Sequence, residues 1–530
     1  MRSIAGIVTL VAAAVALAAQ QAPPDTILTN GKIVTVDERF SIAGAVAVTG
    51  SRISAVGSTR DIEALAGPRT RRIDLGGRTV VPGLIDNHMH LMRAGTTWQY
   101  EVRWDGIASR ADAVRMLRER TKAVPPGEWI YTLGGWAMEQ FDDKTPFTRA
   151  ELDRIAPDHP VLLQASYYRS YLNSRAAKAL GVDAPTGVVD EPGIRGLAAR
   201  LPVAADVEAS TRRMFADLHR MGLTAVGSAG CENEVLPMYR RWDEAGELTL
   251  RVFCITGSMR RPTGNPFLDD VAYGETVLGS LHDPMFVPRS APSVPELLEW
   301  RRIASDVAKA GLQLHVHANL TNTIDAFLDQ IEIINKEQPV AGMRWTLAHV
   351  NQLNASHLAR MKALRISAAV HPWTVINDGI NRTVFGEAAN DMPPLKTIQD
   401  SGVIWGLGSD GSRANQIRPF TTLAWAVTGR VVGGRQQLRQ PIRREDALVA
   451  HTRSNAWLLF RERDLGSIEA GKLADLVVLD ADYLTVPSER IARITSVLTM
   501  VNGRVVYPGN WGRDSFIEDR LDLFAAVLNK

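Results

Sequence analysis

Short apolar runs recur along the middle of the chain, and each is followed by a stretch with helical spacing of apolar positions. "LTAVGSAG" (223–230) precedes "NEVLPMYRRWDEAGE", "LQLHVHANL" (312–320) precedes "NTIDAFLDQIEIINKEQ", and "MRWTLAHVN" (343–351) precedes "ASHLARMKALR". "VIWGLGSDGS" (403–412) is a later run of the same kind. "SVPELLEWRRIASDVAKAG" reads as a helix that stops at Gly311, a residue suited to a C-terminal cap. Runs buried on both faces and alternating with helices predict a parallel sheet. The span from about Val81 to Gly466 suits an eight-stranded (β/α)8 TIM-like barrel with insertions. A doubly wound sheet is the competing fold, but no glycine-rich dinucleotide fingerprint follows an early strand. The rhythm breaks at about 99–201, which predicts a large insertion near the barrel mouth.

The two ends of the chain carry a different pattern. "ILTNGKIVTV" (Ile27–Val36) and "LTMVNGRVVY" (Leu498–Tyr507) each place Asn-Gly between β-rich runs, the signal of a tight hairpin turn. Further β-like pieces are "GAVAVTGSRISAVGS" and "LADLVVLDADY". The pattern predicts a small β-sandwich built from both termini, residues 23–80 and 467–530, with the barrel at 81–466 inserted between its halves.

Composition changes this picture little. A hydrophobic share of 45%, a charged share of 22% and a net charge of +2 describe an ordinary globular protein, with no basic run to meet nucleic acid. The exception is the start. Arg2, an alanine-rich apolar stretch and small residues at Ala16–Ala22 read as a signal peptide over 1–22, too short for a membrane span. The expectation is an exported protein, periplasmic or extracellular, without a stable membrane anchor after cleavage. The two cysteines, Cys231 and Cys254, form no disulfide framework; a pair and two buried thiols are both open.

Metal-type residues cluster where the apolar runs end. His88 and His90 close "VVPGLIDNHMH", His315 and His317 lie in "LHVHA", His349 ends "RWTLAH", and Asp410 ends "WGLGSD". The C-terminal ends of parallel barrel strands form one rim, where the chemistry of such barrels sits. Residues i and i+2 on a strand share a side, roughly 6.5–7 Å apart, so a His-x-His pair can hold one ion at about 2 Å. Any one of these histidines alone reads as a hydrogen-bonded core residue; the set reads as a site for a divalent metal. His159, His219, His282, His357 and His451 fall in loops or helical patterns and read as structural.

Several segments together, "NGKIVTVD", "VVPGLIDNHMHL", "GGWAMEQF", "LNSRAAKALG", "LAHVNQL", "GLGSDGS" and "GSIEAGKLADLVVLDADY", resemble the metal-dependent amidohydrolase superfamily in its family 3 branch. The resemblance covers nearly all of the chain after the leader. It implies a distorted (β/α)8 barrel with a β-sandwich from both termini. By that resemblance His88 and His90 are first-strand ligands, His317 the fifth-strand ligand with His315 as fallback, and His349 the sixth-strand ligand. Asp410 is then the eighth-strand ligand and proton shuttle. The metal is expected to be zinc, as one or two ions.

The chain also departs from the pattern. Many relatives bridge two metals with a carboxylated lysine on the fourth strand, but no lysine lies between Lys178 and Lys309. Glu275 is the best replacement, ahead of Asp269, Asp270 and Asp283. Cys231 as a thiolate ligand is less favoured than a structural role. Tyr168 and Arg169 stand where relatives often carry Gly-His, and with Trp136, His371 and Trp373 they are the candidates for substrate contact. Core packing competes with that role for Trp136 and His371.

The expected reaction is hydrolysis of a C–N bond, in an amide or cyclic amide of a small molecule, with Asp410 and His349 as catalytic residues. Deaminases of this superfamily carry a glutamate shortly after the fifth-strand histidine, and "HVHANLTN" has none. An isomerase or decarboxylase on the same barrel, and a binding protein with a vestigial site, are the alternatives. The partner is a small-molecule substrate; self-association into a homo-oligomer stays open.

Overall fold

The computed structural model describes residues 22–507, apart from Glu191, Pro192, Arg195, Asn233, Met285, Phe286 and Arg289. The predicted leader, but for its last residue, and residues 508–530 lie outside the described residues.

Eight parallel strands form one sheet in chain order: β1 (Leu84–Met89), β2 (Leu223–Ala229), β3 (Arg251–Thr256), β4 (Leu268–Glu275), β5 (Leu314–Ala318), β6 (Thr346–His349), β7 (Ser367–Val370) and β8 (Trp405–Leu407). A parallel bridge between Met89 and Gly411 joins the last strand's end to the first and closes a distorted barrel. The apolar runs became strands because both their faces are covered; β1, β2, β3 and β5 are buried along their whole length. The helix after Ser293 spans Val294–Lys309, with Ser293 and Glu296 capping its start and Gly311 in the left-handed conformation beyond its end.

The insertion separates β1 from the helix Val207–Arg220 that leads into β2. It has its own sheet, in the order Val188–Asp190, Arg169–Leu172, Val161–Ala165, Ile130–Leu133. It also has its own core, in which Trp104, Trp136, Phe141, Phe147 and Tyr171 pack together.

Two further sheets come from the chain ends. Four strands between Thr26 and Asp74 form one. The other has six strands and sets Ile42–Ala43, Lys32–Val34 and Thr79–Pro82 side by side with Leu476–Leu479, Ser496–Val501 and Arg504–Tyr507. Asn502-Gly503 is the expected hairpin turn, with both residues at positive φ between antiparallel partners. Asn30-Gly31 is not, and this corrects the sequence reading: Thr26–Thr29 and Lys32–Val34 belong to different sheets, so the chain crosses between layers there. A Cβ on Gly31 would sit 2.2 Å from Leu75 Cδ1, so the glycine serves close approach instead of a hairpin.

A buried ion pair binds these parts to the barrel, and a disulfide staples the barrel itself. Arg251, at the start of β3, makes a fully buried bidentate pair with Asp475 at 2.8 Å per bond. Cys231 and Cys254 are joined in a buried disulfide between the end of β2 and β3, which settles the open pairing and leaves Cys231 no thiolate for a metal.

Candidate metal centre

The ends of β1 and β8 are stitched together by backbone hydrogen bonds. The Asp410 amide donates to the His88 carbonyl at 2.9 Å, and the His90 amide to the Gly411 carbonyl at 2.8 Å. Buried Asp86 reinforces the seam, its Oδ1 accepting from the amides of His88 (3.1 Å) and Ser409 (2.9 Å). Burial lifts the Asp86 pKa to about 6 despite these bonds. Asp410 and His349 both sit in the left-handed region, at φ 55° and 69°. For a non-glycine residue that costs about 1–3 kcal/mol, a kind of strain that concentrates at functional sites.

Around this seam five buried atoms have no hydrogen-bond partner: His88 Nε2, Glu275 Oε2, His317 Nδ1, His349 Nε2 and Asp410 Oδ1. They belong to one cluster. His88 Nε2 lies 2.5 Å from Glu275 Oε2, outside hydrogen-bond geometry, and 3.8 Å from Asp410 Oδ1. His90 Nε2 is 3.3 Å from Asp410 Oδ1 and 4.0 Å from Glu275 Oε1. His349 Nε2 is 3.9 Å from Glu275 Oε2. Orphaned buried polar atoms are costly, and a shared set of imidazole and carboxylate lone pairs is the donor set of a divalent cation. The ligand atoms fall into three overlapping groups: His88, His90 and Asp410; His88, Glu275 and His349; and Glu275, His282 and His317. Glu275 belongs to two of them, which is what a bridging carboxylate requires. The cluster opens at His90, whose side chain is 21% exposed while that of His88 is sealed.

The electrostatics follow from burial and crowding. Burial opposes the charge on Glu275, yet His88, His90 and His349 overturn it and hold the carboxyl well below its usual range. Burial likewise opposes a charged His88, and Glu275, Asp410 and Asp86 outweigh it, raising the imidazole. His349 moves the other way: burial, then His317, His371 and His88, push it well below the ordinary imidazole value. It is therefore a neutral ring with a free lone pair. Asp283 Oδ1 lies 2.7 Å from His317 Nε2 and raises that ring against burial. With Nε2 engaged there, His317 Nδ1 is the nitrogen left without a partner.

The structure gathers His88, His90, Glu275, His317, His349 and Asp410 in one place. It also separates Glu275 from the other acids considered: Asp269 pairs with Arg461, Asp270 with Arg260, and Asp283 with His317. His315 lies one layer back, its Nε2 3.0 Å from His88 Nδ1. The proposed substrate contacts are all engaged within the protein. Trp136 is fully buried in the insertion's core, with its indole N–H on Thr132. Arg169 is committed to Asp190 on the neighbouring strand, and Tyr168 packs at the edge of the same core. His371 and Trp373 are buried against the cluster, bonded to His349 and Asp410 respectively. His282, read as structural, and Asp283, ranked behind Glu275, belong here. His282 stacks 3.7 Å from His317, and Asp283 orients that ring. They lie in a loop with no strand pattern to announce them.

Residues 71–507 match the profile of the Amidohydrolase family. The chain belongs to that family. Among its relatives, the N-substituted formamide deformylase of Arthrobacter pascens is 27% identical, over 91% of this chain and 98% of its own. The putative amidohydrolase YtcJ of Bacillus subtilis is 24% identical over 90% and 98%. A solved uncharacterized metal-dependent hydrolase from Pyrococcus furiosus superposes with a TM-score of 0.62 at 21% identity, covering 87% of this chain and all of that one. The barrel is thus an amidohydrolase barrel, and the cluster occupies its strand ends. In this amidohydrolase no lysine takes the bridging place on β4. Glu275 ends that strand, and the side chain of Lys309 is 69% exposed on its helix.

Proposed function

We propose that this amidohydrolase hydrolyses a C–N bond in a small non-peptide molecule, an amide or cyclic amide, with zinc as its metal. The observation that carries the reading is the set of five orphaned buried donor atoms on residues that fall into three overlapping candidate ligand groups at the strand ends. Full-length similarity to a deformylase of N-substituted formamides supports the bond type. His88, His90 and Asp410 would hold one ion, His317 and His349 a second, and Glu275 would touch both. A bound divalent cation would supply an acidified water and polarisation of the carbonyl.

The chain's own groups handle the proton. Asp410 has one oxygen occupied and one open: Oδ2 accepts from Trp373 Nε1, and Oδ1 faces His90. Oδ1 takes a proton from the attacking water as the C–O bond forms, then returns it to the nitrogen as the C–N bond breaks. The leader pattern and the Cys231–Cys254 disulfide together support export, because such bonds persist in oxidising compartments.

The test is hydrolysis in 18O-labelled water over N-formyl amines, N-acyl amino acids, cyclic amides and small esters, with zinc counted in the same preparation. Asp410→Asn is expected to retain most zinc and lose at least about 100-fold in turnover. A wild-type protein that binds no zinc, manganese or iron and incorporates no label would refute the reading.

A further inference from the structure

Beneath His349 runs a chain of four buried polar side chains whose donors and acceptors can be assigned without ambiguity. Asn455 Nδ2 lies 2.6 Å from the carbonyl oxygens of both Ile85 and Leu407. Two carbonyls demand two N–H groups, so the amide cannot be flipped and Oδ1 must face the other way. There it accepts from Asn87 Nδ2 at 2.7 Å. Asn87 is thereby fixed too, and its Oδ1 faces His371 Nε2 at 2.7 Å, so that nitrogen carries the proton. His371 Nδ1 receives the backbone N–H of His349 at 3.2 Å, and a backbone amide only donates. His371 Nδ1 is therefore bare, and it accepts from His349 Nδ1 at 2.9 Å as well. The proton of the His349 ring sits on Nδ1. Its Nε2, one of the five orphaned atoms, presents a lone pair to the cluster.

We propose that Asn455, Asn87 and His371 are positioning residues that lock His349 in the Nδ1–H tautomer, making it a metal ligand and preventing it from polarising substrate through an N–H. This deepens the hydrolase reading and rests on it for the identity of the bound group. All four residues are buried, so water cannot substitute for a lost member. The polarity starts at two main-chain carbonyls, Ile85 in β1 and Leu407 in β8. The ring's tautomer is therefore set by the closure of the barrel itself. Outer partners of metal-bound histidines fix tautomer and ring orientation in this manner, commonly through a carboxylate or carbonyl. Here a second imidazole takes that place.

The test uses the full-length protein with histidine labelled in 15N, stripped of metal, and long-range 1H–15N correlation spectra; the His349 signal is assigned by its loss in His349→Gln. The expected spectrum shows the proton on Nδ1. Two variants follow with zinc alone as probe. His371→Leu removes both ends of the link and is expected to weaken zinc binding by about 10–100-fold. His371→Gln can present an acceptor and a donor as the imidazole does, and is expected to restore most of that affinity. A wild-type spectrum with the proton on Nε2, or a glutamine variant no better than the leucine one, overturns the proposal. The two readings fail separately: a wild-type protein without zinc affinity sinks the hydrolase reading, whereas the spectrum recorded without metal decides the tautomer by itself.

Discussion

The indole Nε1 of Trp373 donates to Asp410 Oδ2 at 2.7 Å, and the opposite oxygen, Oδ1, is left facing His90. The carboxylate proposed to hold and release a proton is thus anchored by one oxygen. Trp373→Phe keeps an aromatic ring against His349 and removes only the donor. A hydrogen bond to a charged group is worth about 1.5–3 kcal/mol, so kcat is expected to fall by roughly 10–100-fold with zinc content kept. A rise in KM at unchanged kcat would instead mark Trp373 as a pocket wall.

Glu275 is the carboxylate that His88, His90 and His349 share. Glu275→Gln preserves its shape and abolishes the charge. Zinc affinity is expected to drop by more than the ~10–100-fold typical of outer partners, and bound zinc per chain to decline. Titration with zinc under a competing chelator measures both. Unchanged stoichiometry would remove Glu275 from the bridging position.

The Arg251–Asp475 pair joins the barrel to the sheet formed by the chain ends. Removing one partner strands a buried charge, so Asp475→Ala is expected to lower stability by about 3–5 kcal/mol. Replacing both partners with apolar residues, as in Arg251→Met with Asp475→Leu, is expected to recover much of that loss. Urea midpoints of the two variants against wild type are the measurement.

His219 is buried under the six-stranded sheet, its Nδ1 3.0 Å from the Leu223 carbonyl and its Nε2 3.1 Å from Thr249 Oγ1. Burial depresses its pKa from 6.5 to about 4. The unfolded chain therefore binds a proton in this window that the folded one refuses. Stability falls as pH drops through 6.5 and levels off near 4, by on the order of 3 kcal/mol for this one group. His219→Gln is expected to flatten that slope in thermal midpoints measured across pH 4–7, though lowering the plateau above it.

The barrel was legible because its signal is local. A strand covered on both faces must be apolar throughout, and the helix that covers it must repeat every three to four residues. His88, His90, His317, His349 and Asp410 were legible for a related reason. Each follows an apolar run directly, and parallel strands of one barrel end at one rim. Glu275 emerged by elimination, since no lysine was in range. Asn30-Gly31 shows the limit of such reading, because the same dipeptide that makes a hairpin at Asn502 makes a crossing between sheets at the other end. The leader and the final segment lie outside the described residues.

The roles of the residues that tune the centre were not legible in the chain, although Trp373 and His371 were singled out as substrate contacts and Asp283 as a candidate acid. Trp373, His371, Asn87, Asn455, Asp283 and His282 are spread over hundreds of positions, and their spacing encodes no partner. Those roles exist only once the strand ends meet. Sequence alone determined which side chains can bind a cation, since that is a property of imidazole and carboxylate groups at strand ends. Tertiary structure decided which lone pair each one shows, because a ring's tautomer depends on the partner behind it, and that partner is brought there by closing the barrel.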